Sequence, residues 1–252
     1  MTEDQFIPFH TTDLTGKRVL VLAPHPDDET FGCGGTLALH AEAVDPVRVV
    51  ILTNGAKGDM SGRYDRNDYI ALRRQETLAA CACLGIFDVI FWPYEDRELA
   101  DAVSVDSELA ALIDEYAPEL IYAPSPLEFH PDHRAAAYFT QAAFKSRQMD
   151  AALVFYEVGQ PLQVDILVDI TGVLDKKKQA IQQYKSQLEE RPYDDFSLAL
   201  NRFRSLTLSR DVTHAEGFIR SMDWHPLLEP AVNGYRSWGK KLGAAVKRCL
   251  KF

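Results

Sequence analysis

At 252 residues, 46% apolar and 25% charged, the chain has the length and composition of a globular domain with a sizeable core. Its formal net charge of −10 at pH 7 argues against nucleic acid as a partner, and no apolar run approaches the roughly 20 residues that span a bilayer. Residues 1–16 lack the basic and apolar regions of a secretory signal, and the four cysteines form no C-x-x-C pair, so a cytoplasmic protein with reduced thiols is expected.

Arg18–Ala23 is an apolar, β-branched run and predicts the first strand. Pro24 and Pro26 end it, and Gly32, Gly34 and Gly35 permit a tight turn into a helix over Cys33–Ala43. Between them, Pro24-His25-Pro26-Asp27-Asp28-Glu29 crowds one imidazole and three carboxylates onto a single strand-to-helix turn. Such crowding needs a cation or bound protons to offset it. Val47–Thr53 predicts a second strand, followed by a loop, 54–68, rich in Gly, Asp and Arg. A helical pattern runs from Tyr69 to Leu84 and closes at Gly85. Asp88–Trp92 reads as the third strand, Ser104–Tyr116 as a helix and Leu120–Pro124 as the fourth strand. A Pro-containing loop then leads to His130-Pro131-Asp132-His133, ahead of a helix over Arg134–Arg147. Leu153–Val158 and Val164–Ile170 predict two further strands, with helices expected near Leu174–Glu189 and Phe196–Ser205. Strands alternating with helices specify an α/β fold: a single Rossmann-like domain over 1–252, its mostly parallel sheet covered by helices on both faces.

In open α/β sheets ligands bind beyond the carboxyl ends of the strands. The His25 turn follows strand one, and His130 and His133 follow strand four, so segments far apart in sequence meet at one sheet edge. His25 and Asp28, three apart across the turn, would aim at one ion, with His133 as third ligand. Two imidazoles and one carboxylate, with positions left for water, fit catalytic zinc, and Fe2+ or another divalent metal takes the same donors. Asp27 lies beside the ligand pair and is the candidate general base; His130, one turn before His133, would donate to an oxyanion or a leaving amine. Each half also has a plainer reading. An HxxH at a helix start caps or is solvated, and an Asp-Asp-Glu run suits a helix N-terminus through the dipole. Their joint position at two strand ends favours the metal site. Glu29 would orient a ligand or cap the helix.

With these residues in view, APHPDDETFGCGGTLA resembles the signature of the LmbE-like (PIG-L) family of zinc-dependent N-acetylglucosaminyl deacetylases. The resemblance extends through Leu72–Glu76 to Leu84-Gly85, His130–His133, Val168–Ile170, Lys177 with Ser186-Gln187, and Ala215–Phe218. It implies a Rossmann-like fold and hydrolysis of the N-acetyl group of an amino sugar or its conjugate. By position it implies His25, Asp28 and His133 as zinc ligands, Asp27 as general base and His130 as stabiliser of the tetrahedral intermediate. Arg73 falls where the family carries a substrate-binding arginine, with Arg74 as the competing register.

Other features are weaker. Gly32-Cys33-Gly34-Gly35 lacks the third glycine of a dinucleotide fingerprint, since Leu37 stands there, and Cys33 reads as a core thiol. Loop 54–68 would either line the sugar pocket as a flap or be solvated surface, and His214 would reach the site or pack elsewhere. From Tyr235 to Phe252 there are six basic residues and no acidic one, with Trp238, Leu242, Val246, Cys249 and Leu250 near one helical face. Such a helix would lie on an anionic membrane surface, giving a peripheral position at the inner membrane face, or pack on the chain's own acidic body or another subunit, which is the simpler reading. A homo-oligomer is compatible with the sequence. Two rival functions use the same residues: a non-haem iron oxygenase built on the His/Asp/His triad, and a sugar-binding protein without turnover.

Overall fold

A computed structural model of the protein describes residue 3, residues 6–147 and residues 149–220; the basic segment 235–252 lies outside them. The strands are β1 (Val19–Ala23), β2 (Val47–Thr53), β3 (Asp88–Tyr94), β4 (Leu120–Pro124), β5 (Ala152–Tyr156), β6 (Ile166–Asp169) and β7 (Ala215–Arg220). The helices are α1 (Asp28–Glu42), α2 (Arg66–Leu84), α3 (Val105–Tyr116), α4 (Pro131–Arg147), α5 (Leu174–Ile181), α6 (Lys185–Leu188) and α7 (Tyr193–Arg204).

One sheet of seven strands runs in the order β3-β2-β1-β4-β5-β7-β6, with β1 to β5 parallel and β7 antiparallel to both β5 and β6. Strand alternation divides the interior in two. Val19, Val21 and Ala23 of β1 enter the core under α1, α2 and α5, with Leu37, Cys81 and Ile181. Leu20 and Leu22 enter the core under α3 and α4, with Leu109, Ile113 and Phe139. Because both faces are covered, the central strands read as unbroken apolar runs, and this made them legible in the sequence. The described residues form an α/β domain with a mostly parallel sheet flanked by helices, as expected; the sheet has one strand more than the sequence predicted.

Three differences from the expectation have local causes. Helix α4 begins at Pro131, where proline's missing N–H is harmless at a first helical position; His133 therefore lies inside its first turn. The helix expected over Leu174–Glu189 splits at Tyr184 (φ −80°, ψ 55°), whose side chain is fully buried. Strand β7 was not expected, because Glu216 and Gly217 interrupt its apolar pattern; Glu216 is nonetheless completely buried.

In this order, β2 and β4 flank β1, so the chain reverses direction across the sheet between β1 and β4. Open α/β sheets bind ligands at such a switch point, beyond the strands' carboxyl ends. The turns after β1 and β4 lie at that end of the sheet.

Candidate active site

The turn after β1 is pinned at both ends. Pro24 O accepts from Thr53 N (2.9 Å) and Thr53 Oγ1 (2.8 Å), and the His25 amide donates to Asp28 Oδ2 (2.9 Å). The three-residue spacing thus brings the Asp28 carboxylate back beneath His25. Asp28 Oδ2 lies 3.1 Å from His25 Nδ1 and 3.1 Å from His133 Nε2, and those two nitrogens are 3.2 Å apart. These separations suit three donors sharing one small cation: zinc–nitrogen bonds of about 2.0–2.1 Å at a tetrahedral centre imply donor spacings of about 3.3 Å.

Acidic groups surround the outer edges of the imidazoles. His25 Nε2 is 3.2 Å from Asp132 Oδ2 and 3.4 Å from Asp96 Oδ1. Asp132 also accepts from the amides of Arg97 (2.6 Å) and Leu99 (3.2 Å), so both its oxygens are engaged by backbone while it holds the outer nitrogen of His25. Glu128 Oε2 stands 3.6 Å from His133 Nδ1 while Glu128 binds the amides of Val158, Gly159 and Gln160. Burial would lower the His25 pKa, but Asp132, Asp28 and Asp96 outweigh it and raise the value well above the usual range. For His133, burial is likewise outweighed, chiefly by Asp28, and the value rises to about 9. Burial would raise Asp28, yet His133 and His25 hold it well below the carboxylate range. The cluster draws positive charge to itself.

Asp27 and His130 border this centre. The Asp27 carboxylate is pushed up to about 7, mainly by burial, with Arg73 pulling the other way. Arg73 comes from α2 and is itself 2% exposed. Its Nη2 donates to Asp27 Oδ2 and to Pro26 O, both at 2.8 Å. The loop packs tightly over this guanidinium: Gly55 has φ +62°, and a Cβ there would stand 2.7 Å from Pro26 and 3.3 Å from Arg73 Nη1. Arg74, the competing register, is exposed, with its guanidinium 5.3 Å from the Phe91 ring centroid. The His130 ring meets His25 edge-on at 4.5 Å between centroids. Its Nδ1 accepts from the Asp132 amide (3.3 Å), which leaves the proton on Nε2. Burial, then His25 and His133, lower its pKa to about 4.

Other sequence candidates fall elsewhere. Glu29 is fully buried and accepts from the Tyr184 hydroxyl and from Thr30 Oγ1 (2.7 Å), and burial raises its pKa to about 7. Cys33 Sγ bonds Glu29 O within the core (3.3 Å). His214 contacts neighbouring Thr213 (3.0 Å) beside β7. The tip of loop 54–68 is tied down: Asp59 accepts the amides of Arg63 and Tyr64, while Arg63 pairs with Glu189 (2.5 Å) and Glu190 (2.7 Å) and Ser61 Oγ with Glu190. Sequence reading offers Asp96, with Tyr94, Glu95 and Arg97 after the third strand, only as pocket lining or solvated surface, and it misses Asp96, Asp132 and Glu128 as partners of the imidazoles. Asp132 sits inside the HPDH run and Asp96 just after β3, so position at a strand end was the available signal.

A protein of Bacillus cereus named "Probable N-acetyl-alpha-D-glucosaminyl L-malate deacetylase 2" is 30% identical over 189 residues, covering 69% of this chain and 84% of the relative. The structure of N,N'-diacetylchitobiose deacetylase from Pyrococcus horikoshii superposes with a TM-score of 0.72 at 25% identity, over 81% of this chain and 84% of that one. A 4-oxalmesaconate hydratase of Pseudomonas putida is 27% identical over 229 residues, covering 80% of this chain and 88% of the relative. The profile described as PIG-L: GlcNAc-PI de-N-acetylase matches residues 20–144, from β1 through α4, and the chain belongs to that family.

Proposed function

We propose that the protein hydrolyses the N-acetyl group of an amino sugar of the N-acetylglucosamine type, or of its conjugate, with a divalent metal held by His25, Asp28 and His133. The observation that carries this reading is the convergence of those three donor atoms beside Asp27. The names of the relatives support the reaction class.

A divalent metal at these donors would polarise the amide carbonyl and acidify a water molecule. Asp27 takes a proton from that water as its oxygen adds to the carbonyl carbon. Arg73 keeps the Asp27 carboxylate aimed and acts behind the base rather than on the sugar, because its guanidinium is buried against Asp27 and Pro26. His130, neutral and with its proton on Nε2, donates a hydrogen bond to the oxygen on which negative charge develops. The C–N bond then breaks, and the nitrogen takes the proton that Asp27 holds. Asp27 suits this return better than His130, since it already holds the water's proton while His130 donates to the oxyanion.

The test is acetate release from a panel of N-acetylated sugars by metal-stripped protein with Zn2+ or Fe2+ restored. Release that returns with metal and falls at least about 10³-fold in Asp27→Ala is expected. Turnover untouched by Asp27→Ala would remove the base assignment. The hydratase relative motivates a second reading, in which water adds to a carbon–carbon double bond at the same donors. Consumption of 4-oxalmesaconate without acetate release from any sugar would favour it.

A further inference from the structure

Helix α1 is broken. Cys33 has non-helical angles (φ −139°, ψ 18°), which separates a first turn carrying Asp28 and Glu29 from the longer piece that ends at Glu42. The break lets the helix press onto the sheet: a Cβ on Gly32 would stand 2.3 Å from the Tyr156 ring, and one on Gly35 would stand 2.6 Å from Ile170. A break inside a buried helix strands amides on one side and carbonyls on the other, and each needs a partner.

Both sides are satisfied by one ion pair. Glu216, on β7, accepts from the amides of Gly35 (2.8 Å) and Thr36 (2.7 Å) and so caps the second piece. Lys177, on α5, donates to Glu216 Oε1 (2.7 Å) and to Phe31 O (3.0 Å), the carbonyl left by the first piece. Ser197 Oγ also donates to Phe31 O (2.9 Å). Lys177 and Glu216 are both 0% exposed. A buried carboxylate without its cation would be strongly unfavourable, so neither partner can bridge the break alone.

We propose that Lys177 and Glu216 are positioning residues for the metal centre: by bridging the break they set the direction of the first turn of α1, and hence the place of Asp28 among the three donors. This rests on the metal-site reading above. Neither residue touches the reacting atoms. A pair that served stability alone would leave the donor geometry unchanged when replaced, and that difference can be measured.

The experiment binds cobalt(II) alone to metal-stripped protein and reads its visible absorption, which reports coordination, together with affinity in chelator competition. The variants are Lys177→Met with Glu216→Gln, which removes both charges at similar volume, and Glu216→Asp, which keeps the charge balance but withdraws the carboxylate from Gly35 and Thr36. His40→Gln, a buried substitution at the far end of α1, controls for lost stability. The expected result is folded variants with an altered cobalt spectrum, affinity lowered about 10–100-fold in the double variant and less in Glu216→Asp, and His40→Gln like wild type. Should the double variant not fold, Glu216→Asp carries the test by itself. Wild-type affinity and spectrum in the folded variants would overturn this inference alone. A wild-type chain that binds no cobalt would overturn the metal-site reading and this inference with it.

Discussion

Arg73 carries its charge in a place where little else could. Its Nη2 bridges Asp27 and Pro26 from a fully buried position, so the guanidinium fork matters as well as the charge. Arg73→Met leaves a buried carboxylate unpaired and should lower stability by about 3 kcal/mol, read by chemical denaturation. The sign of its effect on pH dependence follows from Asp27. A base must be deprotonated, so kcat/KM should fall as pH drops through the Asp27 pKa. That value is near 7 before a cation on Asp28 draws it lower. Removing Arg73 takes away a lowering influence, so the acidic limb should move to higher pH in Arg73→Met and less so in Arg73→Lys. An unmoved limb in the methionine variant would separate Arg73 from the base. At this scale the sequence was most informative where spacing did the work. His25 to Asp28 across a turn and His130 to His133 across one helical turn are local geometry. Asp96, Asp132 and Glu128 stand directly against the imidazoles but are held there by backbone amides of other loops, and no local pattern encodes that.

Among elements, the far end of α1 shows what one side chain can tie together. His40 is completely buried, its Nδ1 2.7 Å from Asp45 Oδ2 and its Nε2 2.9 Å from the Tyr122 hydroxyl on β4. Its partner Tyr122 lies on a strand that only the sheet order brings near. Burial lowers the His40 pKa, with Asp45 opposing. A histidine depressed in the folded state contributes stability that is full above its unfolded value of about 6.5 and is lost as pH falls through the folded one. Wild-type Tm should therefore decline more steeply between pH 7.5 and pH 5 than that of His40→Gln. Parallel declines would show that the pair does not titrate. Element boundaries were legible where an apolar run met a breaker, as at Val47–Thr53 and Leu120–Pro124, which matched residue for residue. They failed at β7 and at the split between α5 and α6, where Glu216 and Tyr184 are buried to satisfy α1 and tertiary contact overrides local preference.

For the whole molecule, charge is divided unevenly. The chain is acidic, at −10, while its last eighteen residues carry six basic groups and no acidic one. No helix among the described residues is long and apolar enough to cross a membrane. If 235–252 docks on an anionic surface, the full chain should sediment with phosphatidylserine vesicles at low salt, and a chain ending at residue 234 should not. Equal sedimentation of the two would assign the tail to packing on protein. The fold class was readable because two covered faces demand apolar strands, and the candidate site's place on the sheet because the switch point falls where β1 ends. Substrate identity depends on loop shape, which alternation and spacing do not encode.

The strap at the tip of loop 54–68 bears on how such a protein is remodelled. Its turn is closed by Asp59, and its outward grip is on Glu189 and Glu190, between α6 and α7. Residues 59–64 and 189–190 are therefore one clasp that includes none of the three donor atoms. An exchange of the loop that leaves out its Arg63 would leave the two carboxylates with no guanidinium to hold.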